Sequence, residues 1–131
     1  MGTASEAVMV DTSVWIAAFR GKPGNIAEKT RQLLHDDLAL ICGPVLFEIR
    51  RGLRASERKK ILPLMEAVIR LPVDERDWDL AGDVDASLRS EGLTIPPMDI
   101  LIAQVCLRHH APLFALDQHF ESIKGLQLLH L

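Results

Sequence analysis

Apolar residues fall into two rhythms along this chain: short unbroken runs, and longer stretches with apolar positions three and four apart. The runs beginning Ala7-Val8-Met9-Val10, Leu38-Ala39-Leu40-Ile41-Cys42 and Leu113-Phe114-Ala115-Leu116 read as buried strands. Leu71-Pro72-Val73 reads as a brief extended piece, and Leu126 to Leu131 as a final strand. Between them lie helical patterns, so strands alternate with helices and predict a parallel sheet with helices on both faces.

The helices are bounded by recognisable signals. Thr12 to Phe19 carries Val14, Trp15, Ala18 and Phe19 on one face, with Thr12 or Ser13 as N-cap. Gly21-Lys22-Pro23-Gly24 breaks the chain, and Asn25 caps a second helix with Ile26, Leu33 and Leu34 inward. Pro44 suits a first helical turn, after which Leu46, Ile49 and Leu53 form an inner face that leaves Glu48 to one side. Ser56 is expected to cap a helix to about Arg70, burying Ile61, Leu62, Met65 and Ile69, with Pro63 as a kink or boundary. Asp74 opens a helix to about Ser90 with Leu80, Val84 and Leu88 inward, ended by Gly92. Met98 to Leu107 is apolar nearly all round, as a central helix covered on both sides would be. His109-His110-Ala111-Pro112 closes it, and Gln118 to Lys124 makes a short helix.

Four acids recur at one kind of position. Asp11 and Asp117 end apolar strands, while Glu48 and Asp99 stand near the starts of helices. In open parallel sheets the carboxyl edge of the strands is where ligands bind, so the pattern predicts that these four meet in one pocket. Taken singly, each has an ordinary explanation: Asp11 as a cap, Glu48 as a solvated helix acid, Asp99 as a dipole partner, Asp117 as a turn residue. Their joint placement favours a site. Converging carboxylates suit Mg2+ or Mn2+, hard cations that prefer oxygen. Without an ion they would repel one another and raise at least one pKa.

Composition narrows the class. At 131 residues, 48% hydrophobic and 25% charged, the chain is expected to be a single domain over 1–131 with its own core. No run approaches the ~20 apolar residues of a membrane span. Met1-Gly2-Thr3-Ala4-Ser5-Glu6 lacks the features of a secretory signal, so a cytoplasmic location is expected. Cys42 and Cys106 lie in apolar runs and read as buried free thiols rather than a disulfide. The net charge of −3 becomes +1 once the four candidate acids are set aside, so charge alone does not decide for or against a nucleic-acid partner.

Together these residues resemble the PIN-domain ribonucleases, most closely the VapC-like toxins of bacterial toxin–antitoxin pairs. Val10-Asp11-Thr12-Ser13-Val14-Trp15 is similar to the family's opening motif, and Phe47-Glu48-Ile49-Arg50-Arg51-Gly52-Leu53 to its second acidic segment. Asp99-Ile100-Leu101-Ile102-Ala103 resembles the third, and Leu116-Asp117-Gln118-His119-Phe120 the last. The resemblance implies a three-layer α/β sandwich with a central parallel sheet. It also implies a Mg2+- or Mn2+-dependent endoribonuclease that cleaves structured RNA, tRNA or rRNA, by metal-activated water. A small antitoxin would hold it inactive, and a homodimer is implied. Carried over by position, Asp11, Glu48, Asp99 and Asp117 would be the catalytic and metal-binding acids, assisted by the hydroxyls of Thr12 or Ser13. Many family members carry a further acid where this chain has His119, and often a Thr where it has Ala115.

Arg50, Arg51, Arg54, Arg58, Lys59 and Lys60 form one dense basic stretch just past Glu48. It suits RNA phosphates, a protein partner, or simply a solvated face. With no Tyr and 5% aromatic residues, recognition by phosphate contacts and RNA shape is favoured over base stacking. The five histidines show no zinc-ligand spacing; His109 and His110 suit a helix C-terminus, and His119 is an acid–base candidate beside Asp117. Trp15 and Trp78 are expected in the core or at a homodimer contact. Two other readings remain: a catalytically inactive PIN-fold binding module, and a phosphatase or phospho-acceptor domain. The second lacks support from Asp11-Thr12-Ser13, which has no second acid in the first-strand position such phosphatases use.

Overall fold

The computed structural model describes residues 6–130. Five strands form one parallel sheet: β1 Val8–Val10, β2 Ala39–Cys42, β3 Ile69–Leu71, β4 Leu113–Phe114 and β5 Leu128–Leu129. Their spatial order is β3-β2-β1-β4-β5. Six α-helices connect and flank them: α1 Thr12–Phe19, α2 Ile26–His35, α3 Gly43–Gly52, α4 Ala55–Glu66, α5 Glu75–Ser90 and α6 Pro97–His109. A 3₁₀ turn spans Gln118–Ser122. This is the expected α/β sandwich with a central parallel sheet.

β1 lies in the middle because it is apolar on both faces; Val8, Met9 and Val10 are all buried. From β1 the chain first winds one way, to β2 and β3, and later the other way, to β4 and β5. The registers Met9 opposite Leu40 and Met9 opposite Leu113 hold the three central strands level. The carboxyl ends of β1 and β4 therefore flank a reversal of strand order, where a crevice opens in doubly wound sheets. α6 is covered all round, with Asp99 through Cys106 buried, as its unbroken apolarity predicts.

Several expectations are corrected. The cap of α1 is Asp11 rather than Thr12 or Ser13: its backbone is extended, and its carboxylate accepts from Ser13 N. Asn25 stands at the N-cap of α2 but makes no side-chain cap bond, and Leu34 is exposed while Thr30 and Leu33 face inward. α4 begins at Ala55, one residue before Ser56, and its N-cap is Arg54, whose N–H donates to Glu57 Oε1 at 2.8 Å as in a capping box. It passes through exposed Pro63 and ends at Glu66, not Arg70. Ile69 continues the i, i+4 spacing of Ile61 and Met65, yet it lies half-exposed on an edge strand, its Cα paired with that of Leu40.

On α5 the inward line is Asp77, Ala81 and Leu88, with Val84 half-buried; Leu80 faces out. Asp77 can be buried because Arg108 Nε of α6 donates to its two carboxylate oxygens at 2.9 and 3.1 Å. Leu46 on α3 is only half-buried, behind Val45 and Ile49. The last two elements are shorter than expected, and Leu131 lies outside the described residues, as do residues 1–5. Trp15 is fully buried, whereas Trp78 is 56% exposed and no part of the core. Cys42 and Cys106 are free, buried thiols, as expected. Among the described residues no helix is long and apolar enough to cross a membrane.

Candidate functional site

Asp11 follows β1 directly. Its N–H donates to Phe114 O at 2.9 Å, extending the β1–β4 ladder by one residue and leaving the carboxylate at the sheet edge. Oδ2 accepts from Ser13 N at 3.2 Å and from Ser13 Oγ at 2.6 Å. Ser13 Oγ in turn accepts from Leu116 N at 3.3 Å. One serine thus ties the loop after β1 to the loop after β4, across the reversal in strand order.

Glu48 comes in from α3. That helix starts at the residue after β2, with Pro44 in its first turn and Val45 and Ile49 packed inward. This leaves Glu48 half-buried beside the start of α1, where Thr12 Oγ1 donates to its Oε1 at 2.7 Å. Asp99 sits in the first turn of α6, a start set by Pro96 and Pro97. Its Oδ2 lies 2.8 Å from His119 Nε2. Asp117, three residues past β4, is exposed. Asp99, Asp117 and His119 each offer one ligand atom, all within 4.8 Å of one another.

The charges of Asp11 and Glu48 reach Asp99. Burial, then these two neighbours, push the Asp99 pKa up to about 6 against the opposing pull of His119. Asp11 is also raised, chiefly by burial; the Ser13 bonds offset part of this and the charge of Glu48 adds to it. Asp99 is therefore the hub. It forms a tight group with Asp117 and His119, and on its other side it senses Asp11 and Glu48.

This donor set fits a hard dication. Asp11 is 2% exposed, yet its Oδ1 has no hydrogen-bond partner. A buried carboxylate oxygen without a donor is costly unless a cation meets it. Among the described residues no Lys or Arg pairs with any of the four acids. Among the described residues the one basic side chain against them is His119, on Asp99.

The basic stretch runs from the end of α3 into α4. Arg50, Arg51, Arg54, Lys59 and Lys60 are exposed, while Arg58 donates to Arg50 O at 2.7 Å. Glu57, the single acid among them, is paired with Arg20 at 3.3 Å. The guanidinium of Arg51 lies 5.6 Å from the ring centre of Phe47, which is 52% exposed immediately before Glu48. No sequence signal had singled out Phe47, although the i, i+4 spacing to Arg51 was there to be read. Likewise the sequence placed His119 beside Asp117, whereas its ring partner is Asp99.

A family model described as PIN domain matches residues 8–126. Ribonuclease VapC11 of Mycobacterium tuberculosis (strain ATCC 25618 / H37Rv) is 31% identical over 121 residues, covering 88% of this chain and 90% of that protein. VapC ribonuclease Mb1587 of Mycobacterium bovis matches to the same extent, at 31% identity. Among solved structures, the DNA-bound VapBC of Salmonella typhimurium superposes with a TM-score of 0.80 at 22% identity, over 95% of this chain and 98% of that one. VapBC-1 of nontypeable Haemophilus influenzae gives a TM-score of 0.75 at 26% identity, over 93% and 96%. VapC20 of Mycobacterium tuberculosis, described as a Sarcin-Ricin loop cleaving toxin, gives 0.66 at 19%, over 92% and 98%.

Proposed function

The chain belongs to the PIN domain family, among the VapC ribonucleases, and from that premise we propose that it is a metal-dependent endoribonuclease toxin acting on structured RNA. What supports this reading is Asp99, which is grouped with Asp117 and feels the charges of Asp11 and Glu48, together with the buried, unpartnered oxygen of Asp11. These four would hold Mg2+ or Mn2+, which lowers the pKa of a water and takes up charge on the phosphate and the leaving oxygen.

The remaining residues hold the acids in place. Ser13 fixes one oxygen of Asp11 and leaves the other free to bind. Thr12 fixes Glu48 in the same way. Burial and the charges of Asp11 and Glu48 make Asp99 hold its proton more tightly than a free carboxylate, so a bound cation would favour its ionised form. Arg50, Arg51 and Arg54, exposed and following Glu48 in the chain, would bind flanking phosphates, positioning the backbone without reading bases. With few aromatic side chains to stack on bases, recognition would fall to phosphate contacts and RNA shape, as in a tRNA or rRNA loop.

VapBC-5 of Mycobacterium tuberculosis is described as a member of the VapBC family of toxin-antitoxin systems, which supports a small antitoxin as this chain's partner. The exposed apolar residues Phe47 and Leu64 beside the basic stretch would suit such a segment. The test is digestion of total RNA with Mg2+, with EDTA, and with Asp99→Asn in Mg2+. Cleavage only in the first arm supports the reading. Equal cleavage by the Asn variant removes it.

A further inference from the structure

The tight group at this site is not purely acidic. Asp99, Asp117 and His119 present two carboxylate oxygens and one imidazole nitrogen, all within 4.8 Å. An octahedral ion with bonds of about 2.0–2.1 Å has adjacent donors about 2.9 Å apart and opposite donors about 4.1 Å apart. The 2.8 Å between His119 Nε2 and Asp99 Oδ2 matches an adjacent pair. Asp11, whose charge reaches Asp99, keeps its Oδ1 buried and unpartnered, an independent sign that a cation belongs beside this group.

The imidazole is also held. His119 lies on the 3₁₀ turn next to Phe120, whose ring is fully buried and sits 4.7 Å from the imidazole, centre to centre, tilted by 44°. The ring is thus braced on one side and faces Asp99 on the other. Its side chain keeps 31% exposure, enough for an ion to enter from solvent.

Resting on the metal-binding reading above, we propose that His119 Nε2 is itself a ligand of the ion, so that this site takes a nitrogen-accepting transition dication in preference to Mg2+, with Mn2+ as the probe ion. Imidazole ligands favour the first-row transition ions, whereas Mg2+ holds to oxygen and water. The competing role is that of a positioning residue, with His119 only steadying Asp99 by a hydrogen bond.

The two roles separate on a readout other than catalysis. Metal-free protein is titrated with Mn2+ alone and with Mg2+ alone by calorimetry, for the unmodified chain, His119→Ala and His119→Gln. Pulsed electron resonance on the Mn2+-loaded proteins looks for nitrogen coupling. Expected is nitrogen coupling in the unmodified protein, lost in both variants. Mn2+ affinity should fall about tenfold, the low end for a lost metal-site partner, while Mg2+ affinity stays within about twofold. Gln can still donate to Asp99, so a Gln variant that keeps the Mn2+ preference overturns the proposal. So does absence of nitrogen coupling with both ions weakened equally; His119 would then be a positioning residue, and the nuclease reading would stand. If no form of the protein binds either ion, both readings fall together.

Discussion

Thr12 Oγ1 donates to Glu48 Oε1 at 2.7 Å, joining the first turn of α1 to the middle of α3 across 36 residues of chain. The bond gives Glu48 one orientation. Thr12→Val removes the donor at nearly constant volume and leaves the carboxylate free to rotate. RNA cleavage should drop about tenfold, the order expected when a catalytic group loses its orienting partner. Thr12→Ser should restore most of it, and thermal unfolding of the Val variant should move little.

Asp99 is the acid whose protonation matters most for the metal-free protein. Its folded pKa, about 6, lies above its ordinary 3.8, so the folded chain holds this proton more tightly than the unfolded one. Its contribution to stability is therefore greatest at low pH and is lost as pH rises between those two values. Metal-free protein should melt at a higher temperature at pH 5 than at pH 7.5, and Asp99→Asn should reduce that difference. Metal affinity should have the opposite pH dependence, falling as pH drops below about 6.

The pair between Asp77 and Arg108 is a matter of stability alone. Burial works against a charge on Asp77, but the bonds and charge of Arg108 outweigh it and hold the carboxyl below its usual range. Arg108 also donates to Pro72 O at 2.7 Å, fastening the loop before α5. Arg108→Ala strands a buried carboxylate and should lower the denaturant midpoint of unfolding, without altering metal binding. Because the Asp77 pKa is depressed, the pair's contribution is present above pH 3.8 and lost only as pH falls below it.

Burial pushes the Cys42 thiol up to about 12, and that of Cys106 is raised too. Neither is a thiolate near neutral pH. A thiol reagent should leave both untouched in the native protein and label both only after unfolding.

What was legible in the sequence follows from where each signal is stored. The strands β1 and β2 and the helix α6 are read directly, because complete burial leaves an unbroken apolar run. Asp11 directly after β1 and Asp99 in the first turn of α6 follow from the same runs, whereas Glu48 stands in the middle of α3 and Asp117 three residues past β4. Inward faces were harder. Leu80 and Ile69 keep a helical spacing yet face solvent, because the sheet edge claims Ile69 and the Asp77–Arg108 pair sets the rotation of α5. A buried acid with its partner 31 residues away leaves no mark in local hydrophobicity. The contact of His119 with Asp99 was hidden for the same reason: it joins the 3₁₀ turn to the first turn of α6 through space, and sequence proximity pointed to Asp117 instead.

Asp11 provides the sharpest test that these oxygens exist to hold a cation, because its Oδ1 is buried with nothing to meet it. The measurement is equilibrium binding of Mn2+ to metal-free protein and to Asp11→Asn, with thermal unfolding recorded for both. Mn2+ should bind the unmodified chain and bind the Asn variant at least tenfold more weakly, although that variant, relieved of a buried charge, unfolds at the same or a higher temperature. Equal binding by the two proteins would contradict the account.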